Sequence, residues 1–124
     1  MKEEIGRWIE QAKHDLHAAS NSLSAGDFDW AIFQAQQAAE KALKVLYIKN
    51  YKELRKVHDL NFLAKKLMLP GELTTICAQL TQTYVETRYP NASGVIPAKK
   101  FTKKDTEFFI SIATKVMVWV EKRL

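Results

Sequence analysis

Apolar residues recur at spacings of three and four along most of the chain, which is the period of one face of an α-helix. The first segment carries such a stripe, formed by Ile5, Trp8, Ile9, Ala12, Leu16, Ala19 and Leu23. It ends at residues 24–27, where Gly26 can close one helix and Asp27 or Asp29 can cap the next. The pattern predicts two long helices that are antiparallel because the connection between them is short.

The second predicted helix, from Phe28 to about Asn50, is apolar over much more of its circumference than the first. It has two apolar rows: Ala31, Ala35, Ala38, Ala42 and Val45, and Phe28, Ile32, Ala35, Ala39, Leu43 and Leu46. Rows of alanine let neighbouring backbones approach closely. We therefore predict that this helix is central and packs against several partners.

A short helical pattern opens at His58 and Asp59 and runs to Leu67, where the following Pro70 and Gly71 end it. A fourth helix is predicted from Glu72, and it stops before Pro90. Its inward positions are Leu73, Ile76, Cys77, Leu80 and Tyr84.

Residues 90–101 form the longest stretch without a regular pattern, and Thr102 with Asp105 then resembles a capping box that opens the last helix. No strand pattern or internal repeat is present in the sequence. We predict an all-α fold, an antiparallel up-and-down bundle of four main helices plus one short helix, as a single domain over residues 1–124.

The composition agrees with that class. Of the 124 residues, 47% are hydrophobic and 27% charged, as expected for one compact globular domain. Cys77 is the single cysteine, and residues 1–4 lack the apolar core of a signal peptide. No apolar run is long enough to cross a bilayer. We expect a cytoplasmic protein without a membrane span.

The net charge of +5 is unevenly placed along the chain. Residues 1–40 carry three Lys or Arg against seven Asp or Glu, residues 41–66 carry eight against two, and residues 99–124 carry seven against three. If the two basic stretches fold together, they can attract phosphate. The alternative is a solvated helical surface with no ligand.

One run of residues has a more specific pattern. Residues 26–44, with the sequence GDFDWAIFQAQQAAEKALK, resemble the signature of HEPN domains, which are small helical proteins. The His58-Asp59-Leu60 and Arg88-Tyr89-Pro90 segments, and the stretch from Phe101 to Trp119, match the order of the other pieces of that family. The resemblance covers nearly the whole chain.

This resemblance implies a bundle that dimerises, or forms a higher oligomer, and acts with a small nucleotidyltransferase. Some HEPN proteins are RNA-cleaving toxins of such two-part systems, with an Arg followed four to six residues later by His. Here Arg88 is the candidate Arg, but residues 89–95 contain no His. The departure favours a non-nuclease branch that binds a nucleotide, RNA or a partner enzyme, and no cofactor or metal is expected.

Arg88 is the main candidate for phosphate binding, because a guanidinium at the end of a helix presents a planar fork to phosphate. Tyr84 lies one turn earlier and can orient it, and Lys99, Lys100 and Lys103, with the neighbouring Lys104, can complete an anion-binding rim. In the alternative interpretation Arg88 is a helix C-terminal cation without a ligand.

Two other functions stay open. A degenerate, metal-independent ribonuclease would pair Arg88 with His58, His14 or His17, and a passive dimeric scaffold would bind no small ligand. His14 and His17 could also start a metal site, but no Cys or second His pair completes one.

Several other residues are expected to have structural roles. These are Gln36, Gln37, Glu40, Lys41 and Lys44, with Glu40 paired to Lys44. The three tryptophans, Trp8, Trp30 and Trp119, are expected in the core or a dimer interface rather than in a base-stacking platform.

Overall fold

The structure, a computed structural model, describes residues 2–52, 60–90 and 94–124, apart from the side chains of residues 2, 84 and 85. In those ranges it has six helices and no strand: α1 (Lys2–Ala25), α2 (Phe28–Tyr51), α3 (Leu60–Lys66), α4 (Gly71–Arg88), α5 (Pro97–Lys100) and α6 (Lys103–Glu121). The predicted all-α class is confirmed.

The four long helices alternate in direction. The connection at residues 26–27 is so short that α1 and α2 are antiparallel. The guanidinium of Arg88 lies over the ring of Phe33, which places the end of α4 beside the beginning of α2. At the opposite end of the bundle, the ammonium of Lys49 in α2 donates to the carbonyl of Arg123, just beyond α6, at 2.9 Å. The predicted up-and-down arrangement of four main helices is confirmed.

The turn between α1 and α2 depends on a glycine. Gly26 has φ of +80°, in the left-handed region that other residues rarely adopt. Its N–H donates to the carbonyl of Leu23 at 3.1 Å, and the N–H of Asp27 donates to that of Ser22 at 2.9 Å. These bonds satisfy the last carbonyls of α1. Asp27 is the N-cap of α2, as predicted, although its side chain makes no cap hydrogen bond.

Helix α2 is the central element, as its alanine rows predicted. It contacts every other helix of the described chain, and its alanines at positions 31, 35, 38, 39 and 42 are all fully buried. Because alanine adds little bulk, the neighbouring helices can pack close to the α2 backbone. The main hydrophobic cluster forms around this helix, with residues from α1, α3, α4 and α6.

Residues 90–101 differ from the prediction of an irregular stretch. They contain α5, a single turn with Pro97 as its first residue, and this raises the number of helices from the predicted five to six. The predicted capping box of α6 is confirmed. The Thr102 hydroxyl accepts from the N–H of Asp105 at 3.0 Å, and the Asp105 carboxylate accepts from the N–H of Thr102 at 3.0 Å.

Among the described residues, no helix combines the length and the apolar character needed to cross a membrane.

Candidate functional site

Arg88 is the last residue of α4, and its side chain is exposed. Its guanidinium carbon lies 5.7 Å from the centre of the Phe33 ring and 5.7 Å from that of the Tyr89 ring. Cation–π contacts of this kind help to hold a guanidinium in place. The structure therefore places Arg88 at the surface beside two aromatic rings, at the end of the bundle where α2 begins.

Three lysines extend this positive region. Lys99 lies on α5, Lys103 and Lys104 form the first two positions of α6, and all three are exposed. None has a carboxylate within ion-pair distance in the described part of the chain. We call Arg88, Lys99, Lys103 and Lys104 the cationic end.

The placement of Lys103 and Lys104 is electrostatically unfavourable for the helix alone. The N-terminus of a helix carries a partial positive charge, and a cation in the first turn is disfavoured by about 0.3–1 kcal/mol. A bound anion would be attracted both by the helix end and by the two ammonium groups.

Lys100 has a different environment from its neighbours. Its ammonium pairs with the Glu86 carboxylate at 3.1 Å, and both side chains are largely buried. The pair ties α5 to α4 and compensates the charge of Lys100. Lys100 was predicted to bind phosphate, but its ammonium is already paired with a carboxylate of the protein.

A groove of about 390 Å³ lies between α4 and α6 next to this pair. Its lining includes the carboxylates of Glu86 and Asp105, and the first of these is paired with Lys100. The Asp105 carboxylate is used in the capping box. Because two carboxylates and one ammonium line the groove, an anion is better accommodated on the exposed cationic end than inside it.

For two of the predicted site residues, the position of the side chain lies outside the described structure. Tyr84 belongs to α4, one turn before Arg88, but its side chain lies outside the described part of the structure. His58, the alternative catalytic residue, falls in residues 53–59, which lie outside the described ranges. The orienting role of Tyr84 and the catalytic role of His58 stay predictions.

The other two histidines are far from the cationic end in the fold. His14 and His17 are exposed on α1, and α1 contacts α2 and α6 but not α4 in the described structure. The packing of the helices therefore does not bring Arg88 and either histidine onto neighbouring elements within one protomer. The described residues also contain no group of three His, Cys, Asp or Glu side chains arranged for a metal ion.

A second set of polar residues is buried rather than exposed. Gln36, Glu40 and Lys44, on one face of α2, are only 0%, 3% and 6% exposed, and we call them the α2 polar row. The Gln36 amide donates to Glu40 Oε1 at 3.2 Å, and the Lys44 ammonium donates to Glu40 Oε2 at 3.1 Å. The predicted Glu40–Lys44 pair is confirmed.

The sequence analysis expected a structural role for these residues but did not predict that they are buried. The available signal was the spacing of four residues between polar positions on a helix already predicted to be apolar around most of its circumference. Such positions leave little room for solvent, so their polar groups must satisfy one another. A neighbouring pair, Lys41 with Asp15, links α2 to α1 in the same region.

Trp30 is not in the core of the protomer, so of the two expected locations, the core and a dimer interface, only the interface stays a prediction for this residue. It is 60% exposed, near the beginning of α2. Trp8 and Trp119 are only partly exposed, and Trp119 packs against the main hydrophobic cluster. Trp30 therefore differs from the other two in having most of its ring system open to solvent.

Comparison with solved structures shows the same fold in proteins of similar length. A protein from Thermus thermophilus is 35% identical, with a TM-score of 0.90 over 97% of this chain and 98% of that one. An archaeal HEPN homologue is 28% identical, with a TM-score of 0.82 over 96% of each chain. A HEPN domain protein from Thermotoga maritima is 25% identical, with a TM-score of 0.73 over 94% of this chain and 95% of that one.

No protein with a curated function matches the chain significantly. The model of the HEPN domain family, in contrast, matches residues 5–123. That match covers all six helices except the first residues of α1. The chain belongs to the HEPN domain family.

Proposed function

We propose that this protein is a non-catalytic HEPN protein that binds a phosphate-bearing ligand at its cationic end. In this proposal it acts as a homodimer, and as the binding or regulatory partner of a small nucleotidyltransferase in a two-component system of the toxin–antitoxin type. The dimer and the partner enzyme come from the family resemblance, whereas the ligand class comes from the arrangement of charges.

The observation that carries the proposal is the contrast between lysines that are paired and lysines that are not. Lys13, Lys41, Lys44 and Lys100 each have a carboxylate within ion-pair distance. The exposed lysines of the cationic end have none in the described structure, although they lie together with Arg88 at one end of the bundle. Lysines of this kind, gathered in one place beside a helix N-terminus, are well suited to phosphate oxygens.

The absence of catalysis is supported by the sequence after Arg88. Residues 89–95 contain no histidine, so the general acid or base of the family's ribonuclease motif is missing at its usual spacing. The two α1 histidines are poor substitutes within the protomer, because α1 and α4 do not pack against each other in the described structure.

The phosphate-binding step can be tested with inorganic polyphosphate as the probe. We expect the triple variant Lys99→Ser, Lys103→Ser and Lys104→Ser to bind at least 10-fold more weakly and to show a shallower dependence of affinity on salt, since each lost phosphate contact lowers that slope by roughly 0.7–0.9. The melting temperature should hardly change, because all three side chains are exposed.

The matched control is Lys65→Ser, Lys115→Ser and Lys122→Ser, which removes the same charge from three exposed lysines elsewhere on the protein. An equal loss of affinity in the control would show that binding follows net charge rather than the cationic end, and the site would then be wrong.

The ribonuclease alternative has a separate test. Wild-type protein and Arg88→Ala are incubated with total RNA in EDTA, and we expect both to leave the RNA intact. Cleavage by the wild type that disappears in the variant would overturn the non-catalytic proposal.

The partner enzyme is tested by purifying the tagged protein at moderate salt and identifying the proteins that copurify with it. A stoichiometric small nucleotidyltransferase supports the two-component role, and its absence opposes it.

A further inference from the structure

We infer that Trp30 supplies a stacking surface for an unpaired nucleobase, so that the ligand of the cationic end is single-stranded nucleic acid. This inference rests on the proposed function, because it assumes that phosphates bind at the cationic end. It goes further by naming the group that distinguishes the ligand from other polyanions.

The first argument is the exposure of Trp30. A tryptophan side chain buries a large apolar area when it is packed, and the other two tryptophans of this chain are mostly covered. Trp30 is 60% exposed, and in the described structure its ring contact is with Phe33, at 6.0 Å and nearly perpendicular (86°). An indole that is mostly open to solvent and perpendicular to its neighbouring ring can stack on another planar group.

The second argument is the continuity between this ring and the cationic end. Trp30 contacts Phe33, Phe33 lies beneath the guanidinium of Arg88, and Arg88 also lies over the ring of Tyr89. Helix α5, which carries Lys99, packs against both α2 and α4. The structure thus joins three aromatic rings and the Arg88 guanidinium in one continuous series of contacts at the beginning of α2, and it places the helix that carries Lys99 against the same two helices.

Aromatic rings that alternate with cations are the combination by which proteins bind single strands, since the bases stack on the rings while the cations follow the backbone. Free phosphate or polyphosphate would use the cations but would make no stacking contact with Trp30. A duplex would offer phosphates, but its bases are stacked on one another and cannot reach the indole. Of these three ligands, an unpaired strand uses every part of this surface.

The experiment compares three probes by fluorescence anisotropy or calorimetry: an oligouridylate decamer, polyphosphate of equal charge, and a blunt RNA duplex. We expect the wild type to bind the decamer more tightly than polyphosphate or the duplex. Trp30→Ala should weaken binding of the decamer by about 5- to 150-fold, the range for loss of one stacked base, and leave polyphosphate binding unchanged.

Two control variants define the role of the ring. Trp30→Phe keeps an aromatic face, so it should recover most of the affinity for the decamer. Phe108→Ala removes another exposed aromatic ring, in the second turn of α6, and should have no comparable effect. An oligodeoxythymidylate decamer shows whether the ribose hydroxyls contribute.

The outcomes separate this inference from the proposed function. If polyphosphate binds as well as the decamer and Trp30→Ala changes neither affinity, the inference is wrong while phosphate binding stands. If none of the probes binds, both are wrong. If Trp30→Ala shifts the oligomeric state and leaves affinity for the decamer intact, Trp30 belongs to an interface between copies of the chain, and the stacking role is overturned.

Discussion

The α2 polar row and the cationic end contain similar residues but use them in opposite ways. In the row, Lys44 and Gln36 both donate to the carboxylate of Glu40, and all three side chains are nearly inaccessible to water. At the cationic end, Lys99, Lys103 and Lys104 face solvent without a carboxylate partner among the described residues.

The difference shows that part of the run that resembles the HEPN signature is buried: Gln36, Glu40 and Lys44 are almost inaccessible, whereas Trp30, near the start of the run, is exposed. Glu40 and Lys44 belong to the run that resembles the HEPN signature, yet their polar groups are engaged within the protein. The proposed ligand surface depends on lysines from a less specific part of the sequence. Polar residues of a signature can therefore stabilise the interior of a fold rather than contact a ligand.

The largest predicted effect comes from breaking the α2 polar row. Glu40→Ala leaves the ammonium of Lys44 buried without its carboxylate, and removal of one member of a buried pair destabilises by about 3–5 kcal/mol. Urea denaturation monitored by circular dichroism measures this loss. Glu107→Ala, which removes an exposed carboxylate from α6, is the control and should change stability by less than about 0.5 kcal/mol. Equal effects would show that burial of the row carries no energetic weight.

An intermediate effect on stability is expected from Cys77. Its thiol is fully buried, like the α2 polar row, but it is neutral rather than part of an ion pair. Burial raises the pKa of its thiol from 9.0 to about 11. Because the unfolded chain loses this proton first, stability should be unaffected by this group below pH 9 and should fall as the pH rises from 9 toward 11.

The expected loss above pH 11 is roughly 2–3 kcal/mol, the energy of a two-unit pKa difference. It is measured as the difference between wild type and Cys77→Ala in denaturation curves at several pH values, which separates this group from other titrations. At about pH 8 the native thiol should also react with iodoacetamide about 100-fold more slowly than a free thiol, from thiolate content alone. Rapid labelling of the folded protein would contradict this account.

The smallest effect is expected at an exposed ion pair. Lys13 and Glu121 join α1 to α6 at 3.1 Å, but their side chains are 56% and 41% exposed. Glu121→Ala should therefore change the free energy of unfolding by no more than about 0.5 kcal/mol, because solvent screens the pair. Thermal denaturation measures it, and a change as large as that of Glu40→Ala would remove the distinction between buried and exposed pairs on which the comparison depends.

Much of the fold was predictable from local signals. These signals depend on residues that are close together in the sequence. They are the apolar stripe of α1, the Gly26 turn, the alanine rows of α2 and the Thr102–Asp105 capping box. Helix α5 was not predicted, because one turn is too short to show periodicity, although a proline opening a run of helix-forming residues was an available signal.

The candidate site was predictable only in part. Sequence reasoning identified Arg88 and the lysines that follow it, but it could not separate Lys100 from Lys99. That distinction depends on Glu86, which lies fourteen positions before Lys100 and reaches it only once α5 folds against α4. The sequence analysis left open whether Trp30 lies in the core or at an interface for a similar reason, since helical position alone does not say whether another helix covers a given face.

The lack of contact between α1 and α4 in the described structure has a consequence for communication across the bundle. A ligand at the end of α4 and a protein docked on the outer face of α1 would not touch a common side chain within one protomer. A path of packed side chains between the two sites would run through α2 or α6, the two helices that contact both. Since α2 is held by buried alanines and by its own polar row, it is more suited to transmit a rigid displacement than to absorb one.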